Sequence, residues 1–478
     1  MAKSGLNVIV ICNDTLRADV VDHSWEDRVE MPNVDRLRAE GFSFTRAYGD
    51  GYPTVPSRRG FYTGRRAYPW NHDIDDRGSV PNLVGWHAIP GEYTTLAETL
   101  SEHGRLTGLV ADLYHLFKPT MNFTRGFASY DYIRGQENDR TRSGPLSEID
   151  LKPHVHPDET DLKRHGGLVQ YLLNIKDRKT EEDYFAPKVF RSAAKWIDDN
   201  VNQGPWMLWV DSFTPHEFWD PPKAFADRYF KKDGVVDYTY PQFFQQRFKF
   251  NADEIARTKA LYYGYCTFMD KWVGHLLKKL DDHKLWDETV VVFTSDHGTE
   301  LWDRGQFGKS GSRLYDYNSR INMVVRHPDK RFHGKSSDAF AMNIDLAPTI
   351  CKWMGVESQE PFDGHDLMPI LNGAKDEVRD HVIAAWSQHA FVRQGHWHYL
   401  VDTYDPAKQT ELYDLKSDPK CRENLAASRP EVVKELRGKL ERYLGAPLPA
   451  VYKHQSRPGR APGLGNFYQK WEQSNLGS

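Results

Sequence analysis

"LNVIVICNDT", residues 6–15, decides the fold. Six of its first seven side chains are apolar with no polar alternation, and four are β-branched, so the run reads as a strand buried on both faces, as in a parallel sheet. The apolar run stops abruptly at Asn13-Asp14-Thr15, which places polar groups at a carboxyl-terminal strand end. Three further stretches follow the same design: "RLTGLVAD" (105–112), "PWMLWVDSF" (205–213) and "ETVVVFTSDHG" (288–298). Between them lie helical patterns. "MPNVDRLRAEGFSF" opens a helix at Pro32-Asn33 and closes it at Gly41, and "TTLAETLSEHG" ends at Gly104. "DEIARTKALYYGYCTFMDKWVGHLLKKLDD" carries apolar residues at spacings of three and four along a long amphipathic helix. Strands alternating with helices predict an α/β fold, a mainly parallel sheet sandwiched by helices, with ligands bound outside the carboxyl ends of the strands.

The catalytic domain is expected over residues 1–383, with a polar insertion at about 117–183 packed over the sheet's edge. Residues 384–478 change character. "HVIAAW", "HAFVRQG", "HWHYLVDT" and "QTELYDL" read as short antiparallel strands, "PEVVKELRGKLERYLG" as a helix, and the Gly/Pro/Arg-rich end as a wrapping or mobile tail. The net charge of −4 predicts no broad nucleic-acid footprint. Cys12, Cys266, Cys351 and Cys421 lie far apart and form neither a disulfide framework nor a zinc signature. The N-terminal residues lack a signal-peptide pattern and no run is long enough to span a membrane, so a cytoplasmic location is expected.

The strand ends carry the chemistry. Asp296-His297 offers a carboxylate oxygen and an imidazole nitrogen together, a donor set for manganese, zinc or iron rather than calcium. Taken alone the pair also reads as a turn in which Asp296 caps the next segment. Asp14 adds a second oxygen at the same sheet edge. In "GDGYPTVPSRRGFYTGR" (49–65), Thr54 sits at a helix entrance with Arg58 one turn on and Pro56 in the first turn. Thr54 reads either as a cap or as an alcohol nucleophile activated by a metal and held beside an anion site formed by Arg58 and the helix N-terminus. Lys309 in "GQFGKSG", His115 in "DLYHLF" and His216 in "FTPHEFW" supply further cationic or proton-donating groups.

In order along the chain, several segments resemble the sulfatase branch of the alkaline phosphatase superfamily. These are "NVIVICNDTLRADV", "MPNVDRLRAEGFSFTRAYGDGYPTVPSRRGFYTGR", "TTLAETLSEHGRLTGLV", "VVVFTSDHGTEL", "GQFGKSG", "NIDLAPTICKWMGV", "DGHDLMPIL" and "ELYDLKSDPKCRENLA". The resemblance implies one divalent metal held by Asp14, Asp296, His297 and the nucleophile at Thr54. It further implies that Arg58 orients nucleophile and anion, and that Lys309 and His216, with His115 less securely matched, bind the anion or protonate the leaving oxygen.

Departures from the pattern shift the expected substrate. Sulfatases carry a cysteine, converted to formylglycine, where this chain has Thr54, and the spare hydroxyl of its hydrate expels sulfate. Threonine has none, whereas a phosphorylated threonine is cleared by water attacking phosphorus. Thr15 in place of an aspartate and His297 in place of an asparagine resemble the phosphonate monoester hydrolase and phosphodiesterase subgroup. Leu113 stands where the family has a lysine. The leading expectation is a metal-dependent hydrolase of phosphate diesters or phosphonate monoesters, acting on a small anionic ester. The alternatives are a sulfatase whose cysteine is replaced by threonine, a two-metal phosphodiesterase using Asp211, His216 and His389 for a second ion, and a catalytically silent anion binder. A homo-oligomer clasped by the tail is also an expectation from the resemblance.

Overall fold

The computed structural model describes residues 5–71, 83–158, 165–241, 245 and 248–451. The expected C-terminal tail lies outside the described residues.

Strand β1 (Asn7–Asn13) is at the centre of the main sheet. It pairs in parallel with β5 (Trp206–Ser212) on one side and β6 (Thr289–Ser295) on the other. Beyond β5 come β3 (Leu106–Ala111) and β4 (Ser129–Tyr132), both parallel. Beyond β6 the sheet continues through β10 (Met323–Arg326), β2 (Phe42–Tyr48) and β11 (Lys335–Met342). Here β10 runs antiparallel to both neighbours, and the short β9 (Arg320–Ile321) pairs with β2.

The unbroken apolar run of β1 is explained by two cores. Ile9 and Ile11 enter one face with Leu208, Val210, Val291 and Phe293. Val8, Val10 and Cys12 enter the other with Met207, Trp209, Val290 and Val292. The first face is covered by the Ala252–Asp282 helix, which opens with a capping box in which Asn251 and Glu254 exchange hydrogen bonds. The second is covered by the helices Thr54–Thr63, Leu96–Glu102 and Leu346–Trp353.

The segment expected to pack over the sheet's edge also extends the sheet, because β4 lies within it. "SYDY" gives no apolar run because an edge strand there keeps three of its four side chains exposed. A second sheet, β12 (His381–Trp386), β13 (His389–Gln394), β14 (Trp397–Asp402) and β15 (Thr410–Asp414), is antiparallel throughout. The Pro430–Leu444 helix packs Leu436 and Leu440 against it. All four cysteines are buried and free, and no helix of the described residues is long and apolar enough to cross a membrane.

Candidate active site

Parallel register brings the strand ends together. Asn13 stands opposite Ser295 of β6 and Ser212 of β5, so Asp14 and Asp296 leave the sheet side by side. Asp14, Asp296 and His297, all buried, each offer one ligand atom within 4.8 Å of the others, the one such group among the described residues. The Thr15 backbone N–H donates to Asp296 Oδ1 at 2.9 Å and the Thr15 hydroxyl to Asp14 Oδ1 at 2.7 Å. His297 Nδ1 is 2.9 Å from the Gly298 carbonyl, which can only accept, so Nδ1 carries the proton and Nε2 the lone pair. Nε2 is buried without a hydrogen-bond partner, 3.3 Å from Asp296 and 3.7 Å from Asp14. Burial and the nearby Lys309 push His297 down to about 4, so it is neutral at pH 7. Asp14 is pushed up by burial and by Asp296. Burial also acts to raise Asp296, but Arg58 and His297 hold it below the usual range. An orphaned imidazole nitrogen facing two buried carboxylates suits a divalent cation with mixed nitrogen and oxygen preference, such as manganese, zinc or iron.

Thr54 is the first residue of the Thr54–Thr63 helix, and the N-cap position belongs to Pro53, with no side-chain capping bond. The cap reading therefore fails, and Thr54 is buried, 3 % exposed, in the first turn of the helix. Arg58, fully buried one turn on, reaches 3.4 Å from the Thr54 carbonyl through Nη1. The same Nη1 lies 3.0 Å from Asp14 Oδ2 and bonds Asp296. Asp211 takes the other edge of the guanidinium: Nε donates at 3.2 and 3.1 Å and Nη2 at 2.8 Å.

This geometry removes Asp211 from the expected second metal set. Its two oxygens are spent on Arg58, and His389 bonds Gln409 on the C-terminal sheet at 2.8 Å. Asp211, His216 and His389 do not form a metal-ligand group among the described residues.

The β7 (Glu300–Leu301) and β8 (Phe307–Gly308) hairpin delivers Lys309. Its ammonium donates to Glu217 Oε2 at 2.7 Å, with Lys309 9 % and Glu217 1 % exposed at their side chains. Burial acts to raise Glu217, but Lys309 and His216 win and hold it at about 2. His216 Nδ1 donates to the Glu217 carbonyl at 2.6 Å and lies 3.3 Å from its carboxylate. Burial and Lys309 push His216 down to about 4, so at pH 7 it is neutral, with its lone pair on Nε2. In this state His216 accepts protons through Nε2. His115 packs edge-on against Trp86 with Nε2 3.3 Å from Glu137. It is pushed well below its ordinary value by burial, then by Lys118 and Arg58. Glu217, Glu137 and Asp211 have no strong sequence signal beyond polarity next to a strand end. Trp386, at the tip of the β12–β13 hairpin, brings its ring 6.3 Å from that of His297.

A mainly parallel sheet with two strand-end carboxylates, a histidine and a hydroxyl-bearing helix entrance at one edge fits the class of metal-dependent hydrolases. The sulfatase family model matches residues 6–356, and the C-terminal model of N-sulphoglucosamine sulphohydrolase matches residues 304–445. The chain belongs to the sulfatase family of the alkaline phosphatase superfamily and is an ester hydrolase. Enzymes of this family use a divalent metal. Arylsulfatase K of Bos taurus is 22 % identical, covering 98 % of this chain and 86 % of its own length. The multifunctional alkaline phosphatase superfamily protein PehA of Trinickia caryophylli is 25 % identical over 77 % of each chain. The structure of phosphonate monoester hydrolase SpPMH from Silicibacter pomeroyi superposes with a TM-score of 0.71 at 20 % identity, covering 96 % of this chain and all of that one.

Proposed function

We propose that this chain hydrolyses phosphate diesters or phosphonate monoesters with Thr54 as nucleophile. The observation that carries this reading is the placement of Thr54, buried at the start of the helix that also carries Arg58, whose guanidinium reaches the Asp14/Asp296/His297 group. Those three residues, with Thr54, would hold one divalent ion, which when bound supplies Lewis-acid activation of the alcohol and charge stabilisation.

The chain's own groups divide the remaining work. Arg58 and Lys309 present N–H donors to the non-bridging oxygens as negative charge builds at phosphorus. Lys309 gives a proton to the leaving alkoxide, and Glu217 holds its ammonium in place at 2.7 Å. Neutral His216 accepts through Nε2 and orients the water that cleaves the phosphothreonine ester. A threonine sulfate has no second hydroxyl with which to expel sulfate, which favours phosphorus over sulfur as the centre attacked. The fold resemblance to a phosphonate monoester hydrolase supports the same reading.

The test compares kcat/KM of wild type and Thr54→Ala on an aryl phosphodiester, an aryl phosphonate monoester and an aryl sulfate, each with bound metal quantified. Expected are phosphorus esters ahead of sulfate by at least about a hundredfold and a loss of at least about a thousandfold in Thr54→Ala. Undiminished turnover in metal-loaded Thr54→Ala refutes the nucleophile, and sulfate leading the panel refutes the substrate class.

A further inference from the structure

Asp211 is a costly residue to place where it is. It stands on β5, opposite Cys12 of β1 and Ala111 of β3 in parallel register, on the sheet face that carries Met207 and Trp209. Alternation along β5 calls for another apolar side chain there, yet the position holds a fully buried carboxylate. Burial outweighs the pull of Arg58 and leaves that carboxyl above its ordinary value. Three N–H···O contacts between Arg58 and its two oxygens mark it as an ionised acceptor.

We propose that Asp211 is a positioning residue that sets the divalent-metal affinity of the site by engaging one edge of the Arg58 guanidinium. The inference rests on the reading that Asp14, Asp296 and His297 hold the ion. Arg58 sits between two carboxylate sets, Asp211 on its Nε/Nη2 edge and Asp14 with Asp296 at Nη1. With Asp211 in place, only Nη1 bears on the metal carboxylates, and most of the guanidinium charge is met elsewhere. Without it, the same buried cation has Asp14 and Asp296 as its remaining carboxylate partners among these, and it competes with an ion for them.

Charge counting gives the same answer. Once an entering ion has displaced the proton of Asp14, the carboxylates of Asp14, Asp211 and Asp296 against one guanidinium leave a net −2, which the divalent ion neutralises. With asparagine at 211 the count is −1, and the same ion leaves a buried net charge of +1, an unfavourable state in a low-dielectric interior. Removing Arg58 and the Asp211 charge together restores −2 and removes the competitor.

The test uses full-length protein stripped of metal and titrated with Mn²⁺ calorimetrically at pH 7.5. Asp211→Asn should bind at least about tenfold more weakly than wild type. The double variant Arg58→Met/Asp211→Asn should return to within about threefold of wild type while turnover stays lost, because Arg58 belongs to the anion-binding machinery. Mn²⁺ affinity of Asp211→Asn equal to wild type overturns the proposal. So does a double variant as weak as Asp211→Asn, which would mark Asp211 as a purely structural residue. If Asp211→Asn does not fold, the double variant decides alone: near-wild-type affinity supports the role and a tenfold loss overturns it. Asp296→Asn is the control for the underlying reading. Unchanged Mn²⁺ binding there sinks the metal site, whereas lost binding there with intact binding in Asp211→Asn sinks only the role of Asp211.

Discussion

Chelating the metal should destabilise the whole protein, and by an amount that grows with pH. Asp14, Asp211 and Asp296 are fully buried around one guanidinium, so the ion-free site carries up to two uncompensated negative charges when all three are ionised. At free Mn²⁺ a hundredfold above its dissociation constant, the bound ion adds about 2.7 kcal/mol. For a chain of this size that is a rise in Tm of about 3 °C. The pH dependence follows from Asp14, which burial and Asp296 push above its ordinary 3.8 in the metal-free fold. A raised carboxyl stabilises the fold below its unfolded value, and that contribution is lost as pH rises through the raised one. An entering ion displaces this proton, so affinity should climb about tenfold per pH unit while Asp14 remains protonated. The assay is differential scanning fluorimetry in EDTA and in buffered Mn²⁺ from pH 5.5 to 8. A Tm gain that is absent throughout, or that shrinks as pH rises, refutes the assignment of Asp14 and Asp296 as ligands.

Other perturbations probe the parts separately. Glu217→Gln breaks a buried pair with Lys309 and should cost about 3 kcal/mol of stability at pH 7 in urea denaturation. Because Glu217 is held at about 2, its contribution is present above the unfolded value of 4.5 and is lost as pH falls toward 2, so the gap from wild type should narrow on acidification. Gly298→Ala should weaken Mn²⁺ binding, since a Cβ there collides with the Tyr317 carbonyl oxygen beside His297; calorimetry checks it. Gly311→Val places a Cβ 2.7 Å from the Trp386 carbonyl oxygen and 2.9 Å from His389 Cδ2. It should push the β12–β13 hairpin outward, raising KM for aryl esters more than it lowers kcat.

Much of the scaffold was legible because burial writes itself into composition. A strand covered on both faces is mostly apolar, so β1, β3, β5 and β6 show as apolar runs whose polar ends mark the site edge. The Ala252–Asp282 helix announced itself by period, and the antiparallel C-terminal strands by short apolar runs between turn signals. Edge strand β4 did not, since an exposed edge leaves side-chain polarity free.

The candidate metal carboxylates were legible too, because parallel strands that share a sheet end together, and Asp14 and Asp296 stand at adjacent strand ends. What the sequence by itself determined was therefore the layered α/β frame, the position of the site and the identities of Asp14, Thr54, Asp296 and His297 as its candidates. Tertiary structure alone decided how the charges are shared. Asp211 is paired with Arg58, and Glu217 holds Lys309 across 92 residues of chain. His216 is neutral because burial and Lys309 outweigh its acidic neighbours. The physical reason is that local sequence sets the period and type of each element, while a buried charge is fixed by partners that only the packed fold brings within hydrogen-bond distance.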